Sequence, residues 1–366
     1  MPQKEFKGDP LLKRLEIAGR KLLMRFFSLW QPKKVYSSIP PEFRIRKILM
    51  MRQDKVGDMV ITLPFFRALK RSLPEAKIKV LASSLNRSIL KHSNEFDLMI
   101  YDKRPWKFLL SLWQVFKFHP DVIVDLQYKE SATSTLYVAV SFAKWRVRTL
   151  QPVKLPYNVC IEVAEETHMR EQMKLLFNAV VPISMDNISA DFPLSEKEEG
   201  FAINFFSNIS ALKIKRIGMN ISAGKPTRML SNEEYITICR HLREKGYTTI
   251  LFYAPKYDKV AKEISLAVPG TIVGPVTPDI LHVAALMKHV SLMITPDTSV
   301  VHIASAFGVP MLALYTANTT NCRQWLPWGV PYRIVQAKDR ETMRGIEISE
   351  ILQKLDELIN SVLENK

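Results

Sequence analysis

Residues 47 to 64 read KILMMRQDKVGDMVITLP, and the fold turns on this stretch. Lys47 to Arg52 is a short aliphatic run of the kind that forms a buried strand. Gly57 follows, at a position suited to a tight turn or to close approach of another group to the backbone. A helix is expected from Asp58 to Arg71, with Pro64 as a local irregularity. A buried strand feeding a helix through a short glycine-bearing turn is the unit of a parallel α/β sheet.

The same rhythm extends in both directions. Strands are expected at Ile78–Ala82, Leu98–Tyr101, Asp121–Leu126 and near Arg146–Leu150, with helices at Trp106–Phe118 and near Ala132–Phe142. A helix near Glu166–Val180 precedes a crossing from Pro182 to Leu194. The alternation then restarts with strands at Arg216–Asn220, Thr248–Tyr253, Leu292–Thr295 and Met311–Tyr315. Helices are expected at Asn232–Lys245, Tyr257–Ala267, Asp279–Met287, Thr298–Phe307 and about Ser349–Leu363. The fold class is α/β, with two Rossmann-like units of parallel sheet. The boundaries drawn are 1–44 for a basic extension and linker, 45–185 for the first unit and 186–366 for the second. In such sheets ligands bind at the carboxyl ends of the strands, in the cleft between the units.

Composition supports two globular units. The chain has 366 residues, 47% of them hydrophobic, enough for a core in each half. Its formal charge of +16 favours polyanionic surfaces such as nucleic acid, anionic lipid or a phosphorylated glycan. Cys160, Cys239 and Cys322 are far apart and make neither a disulfide framework nor a zinc site, which suits a reducing compartment. No secretory leader is expected, and charges interrupt every apolar run before it reaches the ~18 residues of a membrane span.

Residues 10 to 30, PLLKRLEIAGRKLLMRFFSLW, carry Leu11, Leu15, Ala18, Leu22, Phe26 and Leu29 at helical spacing, with Lys13, Arg14, Arg20, Lys21 and Arg25 around them. This pattern fits a basic amphipathic helix on an anionic membrane, a helix docked on the protein's own body, or one that meets a partner. Gln31 to Arg46, with Pro32, Pro40 and Pro41, reads as a linker.

Three loops carry candidate chemistry. Asp58 stands at a helix start, either as an N-cap or as a general base for an attacking hydroxyl. Asp54 and Lys55 share its loop. In NISAGKPTRMLS, Asn220 to Ser231, the small residues Ser222, Ala223 and Gly224 let phosphates approach backbone N–H groups, and Thr227 and Arg228 add a hydroxyl and a cation. This is a diphosphate cradle or an ordinary polar loop. In TPDTSVVHIASAFGVP, Thr295 to Pro310, the residues Asp297, Thr298 and Ser299 open a helix that suits an anion. His302 follows one turn on, as a catalyst or as a satisfied core histidine.

These segments resemble the lipopolysaccharide heptosyltransferases, glycosyltransferase family 9. The resemblance rests on Gly57 to Pro64, on Asn220 to Ser231, on Asp297 to Pro310 and, more loosely, on Gln324 to Gly329. It covers about Ile45 to Leu363. It implies a two-domain GT-B fold and an inverting, metal-independent transfer with no cofactor beyond the nucleotide-sugar donor. Asp58 matches the family's catalytic base. Ser222, Thr227, Arg228, Asp297, Thr298, Ser299 and His302 fall on its donor-site segments. Arg228 replaces the usual lysine, and Leu230 and Ser231 stand where the family has Trp and Pro.

The expected partners are a nucleotide-sugar donor such as ADP-heptose, a lipopolysaccharide core or related glycolipid acceptor, and an anionic membrane surface met through residues 10–30. No specific nucleic acid is expected. The segments Lys103–Pro120 and Tyr128–Ser134 are expected to shape the acceptor side. The implied location is cytoplasmic, peripheral to the inner membrane. Other readings are a transferase of the same fold using another nucleotide sugar, a nucleic-acid-binding protein, and a membrane-tethered scaffold without activity.

Overall fold

A computed structural model describes residues 32–128, 131–149, 156–184, 192–209 and 215–364, together with Gly19. Residues 10–30 therefore lie, Gly19 apart, outside the described residues, as do 185–191 beside the boundary drawn at 185.

The first half runs β1 (Lys47–Arg52), α1 (Val56–Ser72), β2 (Lys77–Ser83), β3 (Asp97–Tyr101), α2 (Pro105–Phe118), β4 (Val122–Asp125), α3 (Ala132–Ser141), β5 (Trp145–Thr149), β6 (Val159–Ile161) and α4 (Met169–Val180). After α5 (Glu196–Ser207) the second half runs β7 (Arg216–Asn220), α6 (Asn232–Glu244), β8 (Thr248–Phe252), α7 (Asp258–Ala267), β9 (Ile272–Val273), α8 (Ile280–Met287), β10 (Leu292–Pro296), α9 (Ser299–Ala306), β11 (Met311–Tyr315), α10 (Thr319–Gln324), β12 (Tyr332–Gln336) and α11 (Ile348–Ile359).

Each half holds one six-stranded sheet, ordered β3-β2-β1-β4-β5-β6 and β12-β11-β10-β7-β8-β9. All the named strand pairs are parallel. Both orders reverse direction beside the first strand, between β1 and β4 and between β7 and β10. Those are the points at which open α/β sheets leave a crevice for ligands. The three candidate loops follow β1, β7 and β10, so all three open onto such crevices.

Burial explains the strands. Ile48, Leu49, Met50 and Met51 are buried, as are all five residues of β8 and of β11. Strands covered on both faces must be apolar throughout. Helix starts follow local capping. In α6, Ser231 accepts from the N–H of Glu234 at 3.2 Å while Glu234 accepts from the N–H of Ser231 at 2.6 Å. Gly246, at φ 80°, ends that helix in the left-handed conformation.

Two expectations need correction. Gln31–Arg46 is not a free linker over its described part. The Tyr36 N–H donates to the Asn158 carbonyl and the Cys160 N–H to the Tyr36 carbonyl, both at 2.9 Å, so the strand edge at β6 is covered. Ile39 is buried, and Tyr36 and Phe43 set their rings edge-on to Trp145 at 5.3 and 5.8 Å. The segment is a strap. Five elements were also unanticipated: β6, α5, β9, α10 and β12. They are short or polar, and their pairing comes from the sheet rather than from periodicity.

The halves meet at the amino ends of α1 and α9. A Cβ on Gly57 would lie 2.7 Å from Cδ2 of His302 and 3.4 Å from Cα of Ser299. The His302 ring has no room to retreat, because Trp325 packs on it with centroids 5.6 Å apart. Gly57→Ala is expected to cost about 1–3 kcal/mol by overpacking. Combined with His302→Ala it should cost less than the sum of the two, in a double-mutant cycle of thermal unfolding; strict additivity would remove the contact from this account.

Candidate active site

The buried guanidinium of Arg52, at the end of β1, organises the first-half side of the cleft. Its Nη1 donates to the carbonyl of Leu126, joining β1 to the chain leaving β4, and lies 3.2 Å from Asp54 Oδ2. Its Nη2 stands 3.7 Å from Asp58 Oδ1. The Asn86 side chain donates to the Arg52 carbonyl at 2.7 Å and holds the strand end from the other side. One buried cation thus faces two carboxylates.

Asp58 is buried in the first turn of α1. Its Oδ2 accepts from the Lys55 N–H at 3.0 Å, so it closes the helix start as an N-terminal cap does. Both readings of Asp58 survive this geometry, because one oxygen makes the cap and the other is left toward Arg52. Asp54 shares this loop and faces the same arginine. Burial raises its carboxyl to about 7, with Arg52 opposing the shift and Asp58 adding to it. One of its oxygens is buried without a partner.

The second-half side is built from three strand ends. Asn220, closing β7, donates through its side chain to Thr295 Oγ1 at 3.0 Å and Thr298 Oγ1 at 3.3 Å. Its Oδ1 accepts from the N–H and hydroxyl of Ser222 at 3.1 and 2.9 Å. Ser222 in turn accepts from the Ala254 N–H at 3.2 Å. Thr298 caps α9 by accepting from the Val300 N–H at 3.3 Å. These bonds clamp β7, β8 and β10 around a cleft of about 390 Å³. Ser222, Ala223 and Gly224 line one wall, Thr298 and Ser299 the opposite one, and Tyr253, Pro255, Pro278 and Asp279 the rim.

Asp297 stands beside this cleft. Its Oδ2 accepts from the Asn321 side chain at 2.9 Å and lies 3.7 Å from Arg228 Nη1. Burial pushes its carboxyl up, the Asn321 bond and the charges of Arg228 and Lys55 pull it back, and the charge of Asp58 adds to the rise. The two candidate acids therefore lie within each other's field, one from each half. Thr227 is exposed on a short 3-10 turn, Pro226–Arg228, whose carbonyl accepts from Met343 N at 2.9 Å.

Like Thr227, Arg228 and Asp297, His302 does not line the cleft. It is buried between Gly57 and Trp325, outside the cleft lining, and burial lowers its pKa to about 3. It is a neutral packing group at neutral pH. Residues that the sequence reading passed over include Arg52, Asn86, Asp279 and Asn321. Arg52 ends an aliphatic strand, which marks a buried charge, whereas Asn321 and Asp279 carry no local signal.

A larger cavity, about 480 Å³, lies among the strap, the end of α1 and the end of α4. It sits at the amino edge of the first sheet, away from both crevices.

The family model for glycosyltransferase family 9 (heptosyltransferase) matches residues 123–355. The chain belongs to this family. It is a glycosyltransferase. Lipopolysaccharide heptosyltransferase 3 of Escherichia coli is 23% identical over 352 residues, covering 83% of this chain and 97% of that protein. Among solved structures, a family 9 glycosyl transferase from Veillonella parvula is similar with a TM-score of 0.73 at 16% identity, over 86% of this chain and 97% of that one. The E. coli heptosyltransferase WaaC with ADP gives 0.67 at 15%, over 87% and 99%. These likenesses carry the GT-B fold of this glycosyltransferase.

Asp54 supplies a pH test. A carboxyl raised from 3.8 to about 7 favours the folded state only while protonated. Its contribution is complete below 3.8 and is lost as pH rises through 7. Asp54→Asn should therefore gain stability relative to the parent between pH 5 and pH 8, measured by thermal unfolding; a constant difference across that range would reject the assignment.

Proposed function

We propose that this protein is an inverting, metal-independent glycosyltransferase. It moves a sugar, heptose from ADP-heptose, onto a lipopolysaccharide core or related glycolipid. The carrying observation is the facing of the two crevices: Asp58 at one helix start, and Asp297, Thr298 and Ser299 at another, brought together by the contact at Gly57. Support for the donor comes from the solved relative WaaC with ADP and from the relatives named as lipopolysaccharide heptosyltransferases.

In this reading the donor diphosphate occupies the cleft between Ser222–Gly224 and Thr298–Ser299. The start of α9 offers backbone N–H groups and the positive end of the helix dipole to the phosphates. Arg228 swings from Asp297 to the phosphate oxygens, and Thr227 donates its hydroxyl. The acceptor enters from the first half. Asp58 takes the proton of the acceptor hydroxyl, whose oxygen attacks the anomeric carbon from the face opposite the departing nucleoside diphosphate. The anomeric configuration inverts. Arg228 and the helix start stabilise the charge that develops on the leaving group, the task a divalent cation performs elsewhere. Among the described residues no helix is long and apolar enough to cross a membrane. We place the protein in the cytoplasm at the inner membrane, with residues 10–30 meeting anionic lipid.

Calorimetric titration with ADP-heptose, ADP, UDP-glucose and GDP-mannose tests the donor. Saturable binding that prefers the ADP compounds is expected, and Arg228→Ala should weaken it about tenfold to a hundredfold, the value of a hydrogen bond to a charged group. Preference for another nucleotide would retain the transferase and change the sugar. Asp58→Asn should lower kcat about a hundredfold to ten-thousandfold with donor binding intact. Full turnover in that variant would move the base to Asp54.

A further inference from the structure

Helix α2 packs on the first half through Val115 and Phe118, yet most of its large apolar side chains face outward. Trp106, Leu109, Leu110, Trp113 and Phe116 are between 49% and 63% exposed. Their spacing of three and four residues puts them on one face of the helix. Phe142, 59% exposed after α3, extends the patch, with its ring centroid 6.2 Å from that of Phe116. A contiguous exposed apolar surface of this size is an interaction site.

The charges around it identify the occupant. Arg104 and Lys107 stand over the Trp106 ring, where Asp102 answers them at 2.6 and 3.8 Å, and Lys117 stands over Trp113. Beside the end of α2 lies a groove of about 400 Å³ lined by Lys47, Lys77, Lys79 and Lys117, with Trp113 and Phe118. Asp97 answers Lys77 and Lys79 at 3.6 and 3.9 Å, and Asp121 is turned to the backbone N–H groups of Arg46 and Lys47. The ammonium groups outnumber these carboxylates. Aromatic rings that prefer a headgroup boundary, aliphatic side chains between them and lysines at the margin match an anionic bilayer surface.

We propose that the outer face of α2 docks on an anionic lipid bilayer, with the four-lysine groove receiving lipid phosphate. Orientation follows from the chain. Pro105 begins α2 just after the carboxyl end of β3, at the edge of the sheet that holds the cleft. The helix then runs 14 residues, about 21 Å at 1.5 Å per residue, to the opposite edge. The Trp106 end therefore brings the cleft edge to the membrane, where a lipid-linked chain emerges. Lipid binding by this surface is independent of which sugar is transferred.

The full-length chain tests this with vesicles of phosphatidylglycerol and phosphatidylcholine in equal parts, bearing brominated acyl chains that quench nearby tryptophans. The chain has six tryptophans, so Trp30→Phe first removes the one in the amino-terminal segment. Fractional quenching should persist in Trp30→Phe and largely disappear when Trp106→Phe and Trp113→Phe are added. Leu109→Gln with Phe116→Gln should weaken vesicle partitioning at least about tenfold through lost apolar burial. Lys77→Gln with Lys117→Gln should weaken it on anionic vesicles and flatten its salt dependence. The substituted side chains of α2 and Lys77 are exposed, and unchanged unfolding temperatures would confirm intact folds. Quenching that survives the loss of Trp106 and Trp113, or partitioning unaffected by the α2 substitutions, overturns the proposal. So does a lipid-free dimer that Leu109→Gln with Phe116→Gln dissociates, since the face would then belong to a second copy.

Discussion

The approach of α1 to α9 is the constraint on which the site depends. Two helix starts, one from each sheet, meet where Gly57 has no side chain and His302 fills the space against Trp325. A Cβ there would crowd the His302 ring, which would have to shift. Because each helix begins at the carboxyl edge of its sheet, their contact brings two ligand crevices face to face. The donor cleft, the candidate base and the buried acid Asp297 are all within a turn or two of that contact. The neutral state of His302 belongs to the same constraint, since a charged ring between packed helices would have to be desolvated.

Charge is distributed across this junction in a definite way. The first half presents two carboxylates, Asp54 and Asp58, around one buried arginine. The second presents Asp297 held by Asn321 and Arg228. Lys55 adds a cation near Asp297 from across the junction. Arg228 and Lys55 are the cations set against Asp297, one from each half. The cost of burying these groups is the usual cost of a site that must hold charge ready for a reaction. In the second half, Asn220 and Ser222 tie the ends of β7, β8 and β10 together.

Two surfaces outside the cleft complete the molecule. The strap before β1 covers the last strand of the first sheet, which would otherwise expose an edge. On the same half, α2 does the opposite and leaves its aromatic face uncovered. A protein that buries its sheet edge while exposing that many rings on one helix has a use for the helix face.

The amino-acid sequence by itself determined the class of fold and singled out the loops that open onto the crevices. Aliphatic runs such as Ile48–Met51 and Met311–Tyr315, followed by capped helices, admit little except parallel α/β sheets. The motif residues Gly57, Asp58, Asp297 and Thr298 were legible because they are clustered in the chain around helix starts. Tertiary structure alone decided the rest. His302 has the spacing of a site residue, and only the packing of the other half shows it buried against Gly57 and Trp325. The linker became a strap because its pairing partner, Asn158 to Cys160, lies more than a hundred residues away. Asn86 and Asn321 act through partners distant in sequence, and no local pattern marks such contacts. The exposed face of α2 was hidden for the complementary reason. Periodicity reports that one face is apolar, and only the assembled sheet shows which face it turns to the protein and which it leaves exposed.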